Sequence, residues 1–147
     1  IIVGGIALNL LGVIRATADL DILMNIAPES LEKADRVLRS LDYRLKQPIA
    51  IRKLDAQALT VLIQQKNLKA INYYKTGELK EVDIIIDSPV SFEKARQKAK
   101  KIKVEGLVLP VINIDDLIVM KRKSGRSIDT NDILQLKKLK TVLKGRK

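Results

Sequence analysis

From Arg15 to Met24 the chain alternates. Arg15, Thr17, Asp19 and Asp21 fall on one parity and Ala16, Ala18, Leu20 and Ile22 on the other. This predicts an extended strand with one polar face and one face that packs inside. Ahead of it, Ile1–Val3 reads as a strand end, and Gly4-Gly5 opens a short helix through Leu11. Leu31, Ala34, Leu38 and Leu41 recur at helical spacing behind Pro28, predicting a helix over about 29–40. Ile49–Arg52 reads as a short strand, and Asp55 as the cap of a helix through about Lys66. Ala70–Tyr74 and Glu81–Asp87 flank the turn signal Thr76-Gly77-Glu78 and predict a β-hairpin.

Ser91 is expected to cap a basic helix to about Lys101, and Val104–Asn113 to return as a strand that Pro110 keeps at a sheet edge. Asp115 would cap a helix through Lys123, ended by Gly125, and a last helix would run from about Asp129 to Leu143. No internal repeat or low-complexity linker interrupts the pattern, so one domain is expected over 1–147. Hairpin-like strands with intervening and trailing helices predict an α+β class: a mixed sheet with helices mainly on one face, and C-terminal helices.

Composition narrows the chemistry. With 46% apolar and 31% charged residues the chain is built to fold, and with four aromatics (Tyr43, Tyr73, Tyr74, Phe92) its core must rest on Ile, Leu and Val. It contains no Cys and no His. That excludes disulfides, thiol nucleophiles, Cys/His zinc sites and histidine-based catalysis. Chemistry must run on carboxylates, Lys, Arg, hydroxyls and backbone groups. The longest apolar stretch, Ile1–Ile14, is too short to span a bilayer and makes a poor signal peptide, so a cytoplasmic protein with no membrane partner is expected. The chain opens on Ile1 inside a buried-looking segment, so upstream sequence is expected to be missing.

Charge is uneven. Residues 1–90 carry 12 basic and 11 acidic groups, and residues 91–147 carry 16 and 6. The basic C-terminal third suits an anionic partner such as a triphosphate or nucleic acid, or else simply forms solvated helix faces. The acidic strand points to chemistry of its own. Asp19 and Asp21 stand about 7 Å apart at the backbone on one face of a strand. They can lean onto one hard divalent cation or bridge two, which would remove their mutual repulsion. In Val82-Asp83-Ile84-Ile85-Ile86-Asp87, Asp83 would complete a three-carboxylate cluster if its strand lies beside that of Asp19 and Asp21. Asp87, before Ser88-Pro89, suits a turn better than chemistry. The Gly4-Gly5 turn at a helix start lets backbone N–H groups approach phosphate oxygens, although a glycine pair also serves as a plain tight turn.

Together these residues read Gly4-Gly5-x6-Gly12-x2-Arg15-x-Thr17-x-Asp19-x-Asp21, with Asp83 on a later strand. The pattern resembles the minimal nucleotidyltransferases of the DNA polymerase β superfamily. Its look is nearest to the small group that includes type IV toxin nucleotidyltransferases and some antibiotic-modifying enzymes. Ile114-Asp115-Asp116-Leu117-Ile118-Val119-Met120-Lys121, followed by Gly125-Arg126-x2-Asp129-x2-Asp132-Ile133, is similar to that family's closing segment. A serine that many relatives carry after the first glycine is here Gly5.

The resemblance implies transfer of NMP from an NTP, ATP or CTP, to a hydroxyl, with a two-metal Mg²⁺ site held by Asp19, Asp21 and Asp83. Asp83 would also help deprotonate the acceptor. Gly4 and Gly5 would cradle the outer phosphates, Arg15 and Thr17 would line the pocket or order the strand, and Lys121 and Arg126 would contact the triphosphate. Asp129 and Asp132 either pair with Arg126 or face substrate. The basic C-terminal helices favour RNA such as a tRNA end, or a protein hydroxyl, over a small molecule, and a partner protein encoded elsewhere is compatible with the toxin–antitoxin likeness. The alternative is a catalytically inactive nucleotidyltransferase-fold module that binds nucleic acid or a protein partner.

Overall fold

The computed structural model describes residues 1–145. In chain order its elements are β1 (Ile2–Val3), α1 (Gly4–Leu11), β2 (Leu20–Leu23), α2 (Pro28–Ser40) and β3 (Tyr43–Leu45). A 3-10 turn (Ile51–Lys53), α3 (Ala56–Gln64), β4 (Ala70–Lys75), β5 (Glu81–Ile85) and α4 (Phe92–Lys98) follow. The chain closes with β6 (Lys100–Val104), β7 (Leu107–Val111), α5 (Ile114–Ser124) and α6 (Ser127–Gly145). This is an α+β protein with mixed strand pairing and C-terminal helices. Among the described residues no helix is long and apolar enough to cross a membrane.

The chain packs into two compact units: a terminal unit, Ile1–Thr17 with Pro89–Lys147, and a central unit, Ala18–Ser88. In the central unit the strand order is β3-β4-β5-β2, with β2 parallel to β5 and the other pairs antiparallel. Ile71 and Tyr73 of β4 and Val82 and Ile84 of β5 share one pleat face and bury against Leu31 of α2, Leu59 of α3, Ile51 and Leu54. Asp55 caps α3 by accepting the Ala58 N–H at 2.7 Å. Ile51 and Leu54, both buried, are three residues apart, the spacing at which a 3-10 turn stacks its side chains. That is why Ile49–Arg52 coils there instead of forming the expected strand.

In the terminal unit the strand order is β1-β7-β6, parallel between β1 and β7 and antiparallel between β7 and β6. The expected helix to Lys101 stops at Lys98, and the expected single strand over 104–113 is the second arm of a hairpin. Glu105 and Gly106, at φ +47° and +84°, supply the two left-handed positions that a tight two-residue turn requires. Pro110 therefore lies on β7, between β1 and β6, and not on an edge strand as expected. It is tolerated because β1 meets β7 at a single register position, Ile2 against Val111. Asn113, not Asp115, caps α5 by accepting the Asp116 N–H at 3.0 Å, and Gly125 ends α5 in the left-handed region as expected.

Candidate active site

β2 and β5 are neighbours, and their parallel register sets Asp21 directly opposite Asp83. Both side chains are half-buried. They belong to the pleat parity opposite to Leu20, Ile22, Val82 and Ile84, whose side chains pack with the core, so the carboxylates fall on the other face of the sheet. Asp19 precedes β2 by one residue, is exposed, and sits close enough for its charge to act on Asp83. Asp21 and Asp83 thus stand side by side with Asp19 nearby, but among the described residues no three acidic side chains form a ready-made metal group.

Asp83 is held by a relay from the neighbouring strand. Asn72, its register partner on β4, donates from Nδ2 to Asp83 Oδ1 at 2.7 Å. Gln47 fixes that amide: its Nε2 donates to Asn72 Oδ1 and to the Ala70 carbonyl (3.1 Å), and its Oε1 accepts the Asn72 N–H at 3.0 Å. Reversing the Asn72 amide would set oxygen against carboxylate, so Gln47 keeps the donor aimed at Asp83. Burial holds the Asp83 carboxyl above its usual range. The Asn72 hydrogen bond and the Lys46 charge oppose that rise, while the Asp19 and Glu81 charges add to it. Lys46 pairs with Glu81 at 2.5 Å, and that bond holds its ammonium above the ordinary lysine value, with the charges of Asp83 and Asp19 adding to the effect.

Asn72, Gln47 and Lys46 were not singled out from sequence. The legible signal was Asn72, an amide on the polar parity of a strand whose other parity is Ile71 and Tyr73. Asp87 lies just past β5 and pairs with Lys69 at 2.7 Å.

In the terminal unit, Gly4 opens α1 at φ +66°. A Cβ built on Gly5 would stand 2.3 Å from Arg15 Nη1 and 2.6 Å from Thr17 Oγ1. Arg15 and Thr17 therefore lie against the glycine turn, and Gly5 is glycine because of that approach. The expected strand over Arg15–Ala18 is absent, and its alternation is inverted: Arg15 and Thr17 turn inward while Ala16 and Ala18 are exposed. Asn9 supplies the reason. Its side chain accepts the Arg15 N–H at 2.8 Å and donates to the Arg15 carbonyl at 2.9 Å, claiming the groups a strand ladder would use.

Lys121 is buried, 3% exposed, with Nζ 3.1 Å from Asp129 Oδ1 and 2.6 Å from Asp132 Oδ2. It is neither a solvated surface lysine nor a cation held open toward solvent. Arg126 pairs with Asp129 through Nε (3.0 Å) and Nη2 (3.3 Å). Arg15 Nε, buried without a hydrogen bond among the described residues, lies 3.3 Å from Asp132 Oδ2. Burial pushes the Asp129 carboxyl upward, but hydrogen bonds from Arg126, Lys121 and Ser124 outweigh it and hold the group well below the usual carboxylate range. Of the two readings of Asp129 and Asp132, ion pairing is the one realised, with Lys121 and Arg15 as partners beside Arg126. Neither a family model nor a curated protein matches the chain.

Proposed function

We propose that this chain is a divalent-metal-dependent nucleotidyltransferase that moves NMP from an NTP to a hydroxyl of an RNA, a protein or a small molecule. The observation that supports this most is the register of Asp21 against Asp83, with Asp19 just ahead of β2 and its charge felt at Asp83. Hard carboxylate oxygens on adjacent strands are the donor type that Mg²⁺ takes, and the like charges that raise Asp83 are those a cation would relieve. Asp21 and Asp83, with Asp19, would hold the metal, which when bound supplies charge stabilisation at the phosphates. Asp83 Oδ1 is occupied by Asn72, which leaves Oδ2 to accept the proton of the attacking hydroxyl. Gly4, Gly5, Arg15, Thr17, Lys121 and Arg126 belong to the terminal unit, where Arg15, Lys121 and Arg126 are engaged by Asp129 and Asp132.

The test is incubation of the full chain with each α-labelled NTP, Mg²⁺ and total RNA. Label incorporation should fall at least about a hundredfold in Asp21→Asn and Asp83→Asn. Equal incorporation in wild type and variants would remove the proposal. A second reading, an inactive nucleotidyltransferase-fold module that binds nucleic acid or a protein, draws on the absence of a ready-made three-acid group among the described residues. Under it, nucleic-acid binding would survive Asp19→Asn and would weaken steeply with salt.

A further inference from the structure

Two adjoining grooves in the central unit meet at Arg39. One, of about 450 Å³, runs between α2 and the 3-10 turn and is lined by Arg36, Arg39, Arg52 and Lys53 with Glu32 and Asp35. The other, of about 530 Å³, lies at the end of α2 beside β3 and carries Arg39, Arg44 and Lys75 with Asp42. The central unit as a whole is neutral, with eleven Lys+Arg and eleven Asp+Glu. Its grooves are not: six cations face three acids.

The type of cation is more telling than the number. The unit has seven lysines and four arginines, and all four arginines (Arg36, Arg39, Arg44, Arg52) line these grooves, against two of the lysines. A solvated surface has no reason to sort arginine from lysine. A phosphate site does, because the planar guanidinium offers paired donors that match phosphate oxygens.

Arg39 is also built in. Its Nε donates to Asp35 Oδ1 and Oδ2 at 3.0 and 2.9 Å, and Asp35, buried, also accepts the hydroxyl of fully buried Tyr73 at 2.9 Å. The buried Asp35 thereby orients the half-exposed arginine at the junction, and among the described residues its terminal nitrogens make no hydrogen bond. Glu32 is stretched between Arg36 (3.7 Å) and Arg52 (3.6 Å), too far to neutralise either firmly. Tyr73 and Lys75 are on the pleat parity opposite to Asn72 and Asp83, so the Arg39 anchor lies on the other sheet face from Asp83, whereas Arg44, paired with Tyr74, is on the Asp83 parity at the outer strand β3.

We propose that the two grooves bind a ligand with at least two successive phosphate groups, one in each groove with Arg39 shared. An inorganic oligophosphate and a stretch of nucleic-acid backbone share this chemistry. The proposal does not rest on NMP transfer.

The test follows the arginine Nε–Hε signals of the full chain by NMR during titration with sodium tripolyphosphate and, separately, with single-stranded hexauridylate. The Arg36, Arg39, Arg44 and Arg52 signals should shift saturably and ahead of those of Arg96 and Arg122. The double variant Arg44→Gln/Arg52→Gln removes two exposed cations and should weaken binding by about tenfold or more. Lys33→Gln/Lys66→Gln removes the same charge from the same unit outside the grooves and should change it less than about twofold. Tripolyphosphate alone shifting the signals identifies a free oligophosphate ligand, and hexauridylate shifting them identifies the backbone; either supports the site. Equal weakening in the two double variants, or shifts confined to the terminal unit, or none with either probe, would overturn it.

Discussion

Lys121 shows what one side chain can decide. Its ammonium is the shared partner of two buried carboxylates, and without it Asp129 would keep only Arg126, and Asp132 only Arg15, as cationic partners among the described residues. Lys121→Met should therefore destabilise the protein by about 3–5 kcal/mol in urea unfolding. The same cluster sets an acid limit. Asp129 has a folded value below its ordinary 3.8, so the stability it contributes is present above that value and drains away as pH falls through the depressed one. Urea midpoints should drop between about pH 4 and pH 2, and Asp129→Asn should flatten that drop while lowering stability at neutral pH. At Gly5, a methyl group would meet Arg15 and Thr17 at 2.3–2.8 Å, so Gly5→Ala should cost about 1–3 kcal/mol, read as a lowered melting temperature. From sequence, Gly5 was readable as a phosphate turn or a tight turn. Its close approach to residues ten and twelve positions on could not be seen, because that contact depends on Asn9 pulling Arg15 out of a strand.

At the scale of elements, register sets which acids stand together. A slip of one residue between β2 and β5 would send Asp21 or Asp83 to the apolar face, and the buried Val82 and Ile84 beside half-buried Leu20 and Ile22 hold the pairing in place. Asn72 extends that control to the third strand. Asn72→Leu should leave Asp83 and Gln47 short of a partner, cost about 1–3 kcal/mol, and depress the proposed transfer activity in protein that circular dichroism shows to be folded. The hairpin of β4 and β5, the Asp55 cap and the Pro28 helix start were all legible, since each rests on a local signal. The three-residue β3 was too short to register. The β6 strand was hidden because Lys100, Lys101 and Lys103 resemble the basic helix before them, and only Ile102 and Val104 betray the alternation. Adjacency of β2 and β5 was a condition that sequence could state but not settle, as it depends on pairing between residues 62 apart.

Across the whole molecule, charge and chemistry separate by unit. The terminal unit holds 17 Lys+Arg against 6 Asp+Glu, whereas the central unit balances. The α+β class followed from the order of strand and helix signals, but the division into two units did not, because Thr17 and Ala18 lie mid-pattern with no Gly, Pro or change of composition to mark a boundary. All three carboxylates belong to the balanced unit, so its neutrality conceals Asp21 and Asp83 paired on one sheet face with Asp19 nearby, and arginines gathered in two grooves.

The central claim is that Asp19, Asp21 and Asp83 bind a divalent ion together, and amide NMR during Mn²⁺ titration tests it most directly. Paramagnetic broadening should begin at residues 19–21 and 81–83 and vanish from both segments in Asp21→Asn. Broadening that starts elsewhere, or that persists unchanged in the variant, would contradict the claim.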